Sequence, residues 1–292
     1  MSSNVIPDSE LVLNPDGSVY HLALRPEEIG DIIITAGDPD RVATISKHFD
    51  RITVQRQKRE FVTHTGELNG HRISAISTGI GTDNIDIVLN ELDALVNIDL
   101  PTRQIKENKR SLTIIRMGTS GGLQADLGVD QFVVSSHGLG LDNLLHYYDY
   151  EGSTAEERIT QAFAEQLGLT DAKVKPYVAA ADNELLATFS THFTAGITVT
   201  CSGFYGPQGR QLRLRPKFPT LLDRLPDFKY DGHRITNFEM ETSGIYGLGR
   251  LLGHKCLSIN TIIANRVLRQ FSKDPHAAVE RMIAESLALL TS

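Results

Sequence analysis

Short runs of consecutive apolar residues recur along the chain, and they constrain its fold more than any other feature. The strand-like runs lie at 31–36, 72–77, 112–117, 131–136, 177–181, 197–202 and 256–264. Several are apolar on successive residues, which is typical of strands buried on both faces of a sheet. Segments with helical periodicity separate the runs. The sequence therefore predicts an α/β fold, a single domain with a mixed central β-sheet covered by helices on both faces.

The predicted helices are bounded by recognisable end signals. They span 82–96, 154–167, 183–193, 241–252 and 275–290, with Gly253 closing the fourth and Asp274 capping the fifth. Residues 21–292 are predicted to form the catalytic domain. Residues 1–20 read as an N-terminal arm with little core of its own, and the polar segment 97–110 reads as an exposed excursion.

Composition excludes several classes of protein. The net charge of −7 disfavours a nucleic-acid-binding surface. Apolar runs of 18 residues and a signal-peptide pattern are both absent, so neither a membrane span nor secretion is expected. Cys201 and Cys256 have no metal-binding spacing and lie in apolar runs. Buried free thiols in a reducing compartment are therefore expected, which favours the cytoplasm.

The segment GDPDR at positions 37–41 directly follows the first predicted strand. Asp38 and Pro39 suit the cap and first turn of a helix, whose free backbone amides can bind an anion. Gly37 lets an anion approach the backbone, and Arg41 adds a positive charge with fork geometry. The segment predicts either an anion site or a capped helix with a solvated arginine.

A second candidate anion site is RMGTSGG at positions 116–122, at the end of an apolar strand. Arg116 needs a partner there, because burying a charge is costly unless the charge is paired. Hydroxyl and amide donors from Thr119, Ser120 and the glycines follow it. Such donors beside a guanidinium suit a tetrahedral oxyanion such as phosphate. The alternative is a structural ion pair at a glycine-rich turn.

The segment FYGPQGR at positions 204–210 follows another predicted strand. Gln208 offers a donor and an acceptor, and Arg210 offers donors only. Together they complement the imide edge of uracil, and Phe204 can stack on a planar base. The alternative is an ordinary Gly-Pro turn with a surface arginine.

The segment NFEMET at positions 237–242 places two carboxylates around Met240. If residues 235–240 form a strand, Glu239 and Glu241 point to the same face. The two carboxylates can then accept hydrogen bonds from the 2′ and 3′ hydroxyls of a ribose, while Met240 lies against its apolar face. The alternative is a helix start, where Glu241 is favoured near the positive end of the helix dipole.

Sites suited to phosphate, ribose and a pyrimidine base thus occur in one chain. The motifs run in the order GDPDR, REF, STGIG, RMGTSGG, FYxxQxR, NFEMET and a strand end at Ala264-Asn265-Arg266. On these motifs the chain resembles the uridine phosphorylases of the nucleoside phosphorylase superfamily, from about His21 to the C-terminal helix. The resemblance implies reversible phosphorolysis of uridine to uracil and ribose 1-phosphate in pyrimidine salvage. Phosphate would be the co-substrate, and neither a divalent metal nor an organic cofactor would be required.

The resemblance also implies roles for individual residues. It assigns phosphate to Gly37, Arg41, Arg59, Arg116 and Thr119, ribose to His21, Glu239, Met240 and Glu241, and the base to Phe204, Gln208, Arg210, Ile263, Ala264 and Arg266. The expected catalytic residues are Arg210, Gln208 and Arg116. His21 and Arg59 match positions donated to a neighbouring subunit, so a homodimer or hexamer with shared sites is expected. Glu60 and Ser77 match a monovalent-cation site between subunits, which would hold K⁺.

Departures from the family pattern bear on the alternatives. Residues 264–266 include no acid, whereas purine phosphorylases of this superfamily place an aspartate in that region. Hydrolytic relatives lack the phosphate arginines that this chain carries. The alternatives that stay open are a phosphorylase or nucleosidase acting on another nucleoside, and a non-catalytic nucleoside-binding protein. The long arm and the long 97–110 excursion leave the choice between dimer and hexamer open.

Overall fold

Strands and helices alternate along the chain as the sequence predicts. The computed structural model describes residues 5–170 and 172–291. The strands there are β1 Ile32–Ala36, β2 Arg51–Lys58, β3 Phe61–Leu68, β4 His71–Ser77, β5 Ile98–Asp99, β6 Gln104–Ile105, β7 Thr113–Gly122, β8 Phe132–Leu141, β9 Tyr177–Ala180, β10 Thr194–Cys201, β11 Lys229–Tyr230, β12 His233–Glu239, β13 Lys255–Asn265 and β14 Gln270–Phe271. The helices are α1 Pro39–Ser46, α2 Thr82–Asn97, α3 Thr154–Leu167, α4 Asn183–Phe189, α5 Leu221–Arg224, α6 Thr242–Leu252 and α7 Pro275–Leu290.

One mixed sheet organises the molecule, and its main path runs β11-β12-β10-β8-β13-β7-β1-β4-β3-β2. β1 is parallel to both β4 and β7, and β7 is parallel to β13. The carboxyl ends of these four strands therefore meet at one edge of the sheet. Both β7 and β13 are buried along most of their length, as expected for central strands covered on both faces. The predicted α/β fold with a mixed sheet is confirmed.

The sheet also curls back on itself through one short pairing. Asn237 and Phe238 of β12 pair antiparallel with Gly122 and Gly121 of β7. The pairings β7–β13–β8–β10–β12–β7 thus close into a ring of strands. Because of this closure, the end of β12 lies beside the glycine-rich end of β7, which local sequence patterns do not predict.

Several predicted boundaries were wrong in detail. The helix predicted from residue 183 ends at Phe189, and the helix at 82 is preceded by Gly81 at the cap position, with φ +99°. β7 and β8 each extend about five residues past the predicted run, because their ends still pair with neighbouring strands. The antiparallel strands β2 and β3 were missed, since β2 is largely exposed and lacks an apolar run.

The predicted arm and the 97–110 excursion contact each other. Val5 forms a bridge with Gln104, and the backbone N–H of Ile6 donates to Arg103 O at 2.9 Å. Leu11 and Val19 are buried in the main core, so the described part of the arm shares that core. The first four residues of the arm lie outside the described range.

Two compositional expectations can be compared with the structure. Cys201 and Cys256 are both buried and free, as predicted. Across the described residues, no helix combines the length and hydropathy that crossing a bilayer requires.

Candidate active site

Most of the predicted site residues line one cavity of about 460 Å³ at the carboxyl edge of the sheet. The lining includes Gly37, Arg41, Arg116, Thr119, Phe204, Gln208, Arg210, Glu239, Met240, Glu241, Ile263 and Ala264. They lie on or directly after strands β1, β7, β10, β12 and β13. Ligands of open α/β sheets bind outside the carboxyl ends of strands, which is where this cavity lies.

A buried cluster of charges forms the floor of the cavity. Arg116 Nη2 lies 2.5 Å from Glu241 Oε2 and 3.2 Å from Glu239 Oε2, and all three side chains are almost fully buried. Burial disfavours the positive charge, but Glu239 and Glu241 together raise the pKa of Arg116 above its usual value. The partner that Arg116 requires is therefore this pair of carboxylates.

Glu239 is held by donors from several elements. Its carboxylate accepts from the Thr200 hydroxyl at 2.8 Å, from the backbone N–H of Glu241 at 2.9 Å and from that of Thr242 at 3.0 Å. Burial raises the pKa of Glu239 to about 7, and the charge of Glu241 adds to this effect, while Arg116 and Thr200 oppose it. Glu239 therefore anchors the start of α6 as well as facing the cavity.

Glu241 fits both interpretations that the sequence allowed. It occupies the residue before α6, at the positive end of the helix. Its Oε1 accepts from the backbone N–H of Gly81 at 2.8 Å, while Oε2 binds Arg116. The two interpretations are compatible. Strand β12 ends at Glu239 and α6 begins after Glu241, so Glu241 precedes the helix while both carboxylates still bind Arg116.

Two arginines face the same part of the cavity. Arg41 lies on α1, and its Nη1 donates to Met117 O at 3.3 Å. Burial, and then the charge of Arg116, lower the pKa of Arg41. The positive charges of Arg41 and Arg116 repel each other, so an anion bound near both would be stabilised. Gly37 and Thr119 line the same side, so backbone and hydroxyl donors accompany the guanidinium groups.

The base readers predicted from the sequence form a connected unit. Arg210 Nη1 donates to Gln208 Oε1 at 2.5 Å and to Phe204 O at 2.6 Å. The Arg210 guanidinium also stacks on the Phe204 ring, 3.7 Å from its centroid. Burial, and then the charge of Arg266, lower the pKa of Arg210. Gln208 is buried, so its orientation is fixed by this contact with Arg210.

His21, Arg59 and Arg266 are absent from the cavity lining. His21 Nδ1 lies 2.7 Å from Glu91 Oε1, and its ring contacts the edge of Phe61. Arg59 adopts a positive φ of 55° at the turn between β2 and β3, and its guanidinium lies 6.0 Å from the Tyr20 ring. Within one chain, therefore, the structure separates His21 and Arg59 from the other predicted site residues, whereas Arg266 lies close enough to Arg210 to lower the pKa of that arginine.

Glu60 and Ser77 lie near each other beside that turn. The Ser77 hydroxyl donates to the backbone carbonyl of Glu60 at 2.5 Å and accepts from the Val62 N–H at 2.7 Å. The Glu60 carboxylate lies 3.4 Å from Asn84 Nδ2. The described residues contain no group of three or more acidic, His or Cys side chains that could hold a metal ion.

Sequence reasoning missed several residues of the site. Phe271 and Ile80 line the cavity and are largely exposed, and Asn260 lies beneath it in contact with Arg116. One signal was available for Asn260, since a polar residue inside the apolar run at 256–264 requires a partner. Ile80 and Phe271 carry no comparable signal, because isolated surface hydrophobic residues are common.

A second cavity of about 650 Å³ adjoins the first one. It lies beneath the loop 203–218 and shares Gln208, Arg210 and Phe238 with the first cavity. Its remaining lining is largely apolar, apart from basic side chains of the loop. The base readers therefore form a wall between two cavities.

Comparisons with known proteins agree with this geometry. A family model described as the phosphorylase superfamily matches residues 31–292. A uridine phosphorylase of Thermococcus kodakarensis is 28% identical over 275 residues, covering 94% of this chain and 87% of its own length. A DeoD-type purine nucleoside phosphorylase of Hahella chejuensis is 24% identical over 248 residues, covering 83% of this chain and 84% of its own.

A solved structure is similar over nearly the whole chain. It is that of a Trypanosoma brucei nucleoside phosphorylase, described as showing uridine phosphorylase activity. The two superpose with a TM-score of 0.88 and 31% sequence identity, over 97% of this chain and 100% of the other.

Proposed function

The chain belongs to the phosphorylase superfamily, and from this premise we propose that it catalyses the reversible phosphorolysis of uridine to uracil and ribose 1-phosphate. One observation carries the proposal. A single cavity presents two arginines, two buried carboxylates and a Gln–Arg pair, each suited to one part of the substrates. The similar proteins named or described as uridine phosphorylases support the choice of uridine.

Phosphate would occupy the side of the cavity that Arg41 and Arg116 share. Guanidinium groups bind phosphate oxygens with charge-assisted hydrogen bonds, and Thr119 and the Gly37 amide can add neutral ones. Arg116 is also tied to the carboxylates, so phosphate and ribose would be held side by side. Such positioning of two reactants accounts for a large share of the acceleration in reactions of this kind.

Ribose would lie over the carboxylates. Glu241 has one oxygen on a backbone N–H and one on Arg116, and each oxygen can accept a further hydrogen bond from a ribose hydroxyl. Glu239 supports Glu241 and Arg116 from below. As the glycosidic bond breaks, the ribose becomes oxocarbenium-like, and nearby carboxylates stabilise that positive charge.

The base would be read by Gln208 and Arg210. Negative charge moves into the uracil ring as the bond to C1′ breaks. Arg210, with Arg266 close enough to lower its pKa, supplies positive charge on that side. Stabilisation of the leaving group is therefore electrostatic, and phosphate attacks C1′ from the arginine side.

The first experiment is a panel of nucleosides with and without inorganic phosphate. Uridine should yield uracil and ribose 1-phosphate only when phosphate is present, and inosine should yield less product. Equal cleavage in phosphate-free buffer, with free ribose as product, would indicate a nucleosidase. Binding of uridine without turnover would indicate a binding protein.

The second experiment tests the base readers. Arg210→Ala should reduce kcat/KM for uridine by at least ~10²-fold, comparable to removing one oxyanion donor. Arg213→Ala, on the same loop but outside the base pocket, is the matched control and should stay near the wild-type value. A near wild-type Arg210→Ala enzyme would show that the base is held by other residues.

We also propose a homodimer or hexamer in which His21 and Arg59 complete a neighbouring subunit's site. Their separation from the cavity within one chain supports this proposal. Mixing Arg59→Ala subunits with Arg41→Ala subunits should restore part of the activity, because some mixed sites carry both arginines. No recovery after demonstrated subunit exchange would place each site within one chain.

Two finer features belong to the same proposal. Glu60 and Ser77 would hold a K⁺ ion at the subunit interface, which predicts higher activity or thermal stability in KCl than in an equal concentration of tetramethylammonium chloride. The buried free thiols Cys201 and Cys256 support a reducing compartment, for which we propose the cytoplasm.

A further inference from the structure

Asn260 is a fully buried polar residue on the central strand β13, where its neighbours are mostly apolar. Its Oδ1 accepts a hydrogen bond from Arg116 Nη1 at 2.6 Å. Its Nδ2 donates to the Ser258 hydroxyl at 3.3 Å, and Ser258 in turn bonds to the Thr242 hydroxyl at 2.8 Å. Both ends of the amide are therefore satisfied, and one end acts on the arginine of the site.

Strand register explains how Asn260 reaches Arg116. Asn260 lies opposite Gly118 in the parallel pairing of β13 with β7. The Arg116 guanidinium extends over Gly118, where an added Cβ would lie 1.8 Å from Nη1. Only glycine leaves room for this path, and Asn260 meets the guanidinium at its end.

The contacts of Arg116 are divided between its two terminal nitrogens. Nη2 contacts Glu239 and Glu241, and Nη1 contacts Asn260. A guanidinium carries five N–H donors, so Nε and one hydrogen of Nη1 are left for an anion in the cavity. Asn260 is neutral, so it fixes Nη1 without cancelling more of the positive charge.

We propose that Asn260 is a positioning residue for phosphate, which aims Arg116 at the co-substrate while the two carboxylates hold the other nitrogen. This inference rests on the proposed function. A hydrogen bond to a charged group contributes about 1.5–3 kcal/mol, which corresponds to about 10–100-fold in an equilibrium constant. Asn260→Leu keeps most of the volume and removes the acceptor, so phosphate affinity should fall by about that factor.

The test separates positioning from a general structural effect. KM for phosphate should rise in Asn260→Leu, while KM for uridine should change less than about threefold. Asn260→Asp restores an acceptor but adds a third buried carboxylate, so it should recover phosphate affinity in part and shift the pH profile. The matched control is Thr261→Val, because the neighbouring Thr261 hydroxyl donates to the Met282 sulfur and has no other hydrogen-bond partner among the described residues.

Direct phosphate binding by calorimetry provides a readout that does not depend on turnover. If wild type binds phosphate but does not cleave uridine, the proposed function fails while the role of Asn260 is still tested by this measurement. Unchanged phosphate affinity in folded Asn260→Leu would overturn the inference. So would equal losses for phosphate and uridine, or equal effects of Asn260→Leu and Thr261→Val.

A different observation concerns the 650 Å³ cavity beneath the loop 203–218. Its floor is apolar and includes the buried Leu141, Leu225 and Phe238. Four basic residues are part of its lining, namely Arg210, Arg213, Arg215 and Lys217, and the described residues of the lining include no Asp or Glu. Among the described residues, neither Arg213 nor Arg215 has a hydrogen-bond or ion-pair partner, and both are exposed.

The combination of an apolar floor and a basic rim suits a ligand that has both an apolar body and an anionic group. We infer that this cavity is a second small-molecule site, for an anion carried on an aromatic or alicyclic body. The apolar body would be buried against the floor, and the anionic group would bind the loop cations. Because Gln208 and Arg210 also face the base pocket, an occupant would raise the apparent KM for uridine.

A pair of matched probes tests this site. The probe 1-anilinonaphthalene-8-sulfonate should bind one site per chain, and the Arg213→Ala/Arg215→Ala variant should weaken it about three- to thirtyfold, from two exposed ion pairs. N-phenyl-1-naphthylamine, which lacks the sulfonate, should bind both proteins equally. Arg158→Ala/Arg281→Ala removes two exposed cations elsewhere and should leave both affinities unchanged.

Binding by fluorescence needs no turnover, so the outcome is independent of the proposed reaction. Leu222→Asp places a carboxylate in the cavity and should abolish binding of the sulfonate. Equal affinity of the sulfonate for wild type and the double-arginine variant would overturn the inference. Unchanged affinity for the folded Leu222→Asp variant would also overturn it.

Discussion

Two buried glutamates of this protein each bind an arginine, yet their pKa values move in opposite directions. Burial raises the pKa of Glu239 to about 7, and the like charge of Glu241, which shares the same arginine, adds to this effect. Glu156 is also buried, but hydrogen bonds from Arg250 and Ser153 outweigh its burial and lower its pKa to about 2.

The two pKa values differ in direction partly because the two arginines bind different numbers of carboxylates. Arg250 binds both oxygens of Glu156 and, within the part of the chain that the structure describes, no second carboxylate. The backbone N–H groups of Ser153 and Ala180 donate to the same carboxylate at 2.7 and 2.6 Å. The charges of Glu156 and Arg250 therefore balance each other without a ligand. Arg116 instead binds two carboxylates and faces a cavity, where a ligand can make further hydrogen bonds to it. The candidate site therefore differs from the Glu156–Arg250 pair in two ways: it has two carboxylates for one arginine, and it is open to a cavity.

The largest expected effect concerns the open cluster. Arg116→Ala removes the shared partner of both carboxylates and one proposed phosphate donor, so kcat/KM for phosphorolysis should fall about 10²–10³-fold. Arg116→Lys keeps the charge without the fork geometry and should recover only part of the activity. If Arg116→Ala keeps activity within about threefold of wild type, the Arg116 cluster is no more important for catalysis than the Glu156–Arg250 pair.

The second effect concerns the closed pair. Glu156→Gln should lower the free energy of unfolding at pH 7 by about 1–3 kcal/mol. The loss is smaller than for a fully buried ion pair, because Arg250 is partly exposed and water can solvate its charge. Activity per folded molecule should stay within about twofold, because Glu156 does not line the active-site cavity. Urea denaturation and steady-state kinetics measure the two quantities. A selective loss of activity would show that the closed pair is also functional.

The third effect distinguishes the glutamates by the sign of their pH dependence. Glu156 has a folded pKa of about 2, below its ordinary value of 4.5, so its stabilisation is present above pH 4.5 and is lost as the pH falls toward 2. Glu239 has a folded pKa of about 7, above 4.5, so its contribution is present below pH 4.5 and declines as the pH rises through 7.

Unfolding free energies measured from pH 3 to pH 8 check these signs. In wild type, the free energy of unfolding should fall as the pH decreases below about 4.5, and this decrease should be smaller in Glu156→Gln. Glu239→Gln should flatten the part between about pH 5 and 7 instead. The same pH dependence in both variants would contradict the comparison.

The smallest effect concerns the uncharged wall of the cavity. Ala264 lies on β13 opposite Phe271 of β14 and lines the pocket. Ala264→Val should reduce the ratio of kcat/KM for 5-methyluridine over uridine by about 10-fold, the lower end of what one methylene is worth in an apolar pocket. An unchanged ratio in a folded, active variant would mean that the side chain at position 264 does not limit the size of the group bound at C5 of the base.

Much of the fold was predictable from local patterns. The helix at 154–167 and the start and end of α7 agree with the structure, because the caps and the Asp-Pro pair are encoded by neighbouring residues. β2 and β3 were not predictable in this way. Their side chains are mostly polar or mixed, and their pairing depends on β4 rather than on an apolar run of their own.

The candidate site was predictable in its parts and less so in its assembly. Arg116, Glu239 and Gln208 each carry a signal of charge or hydrogen bonding in an unusual context. The sequence does not reveal that Glu239 and Glu241 share Arg116, since the two segments are more than a hundred residues apart in the chain. Asn260 was missed for the same reason, because its partner lies 144 residues away.

The sequence by itself determined the alternation of strands and helices and the segments that carry donors and acceptors. These are consequences of periodicity and of side-chain chemistry, which neighbouring residues express directly. The family followed from the sequence in another way, through the resemblance of its ordered motifs to those of known phosphorylases. Only the tertiary structure decided which charges share a partner, through the pairing of β12 with β7 and the placement of Asn260 opposite Gly118. It also decided that His21 and Arg59 lie away from the cavity. Contacts of this kind depend on strand order and register, and the pKa of a buried group depends on all the charges that those contacts bring near it.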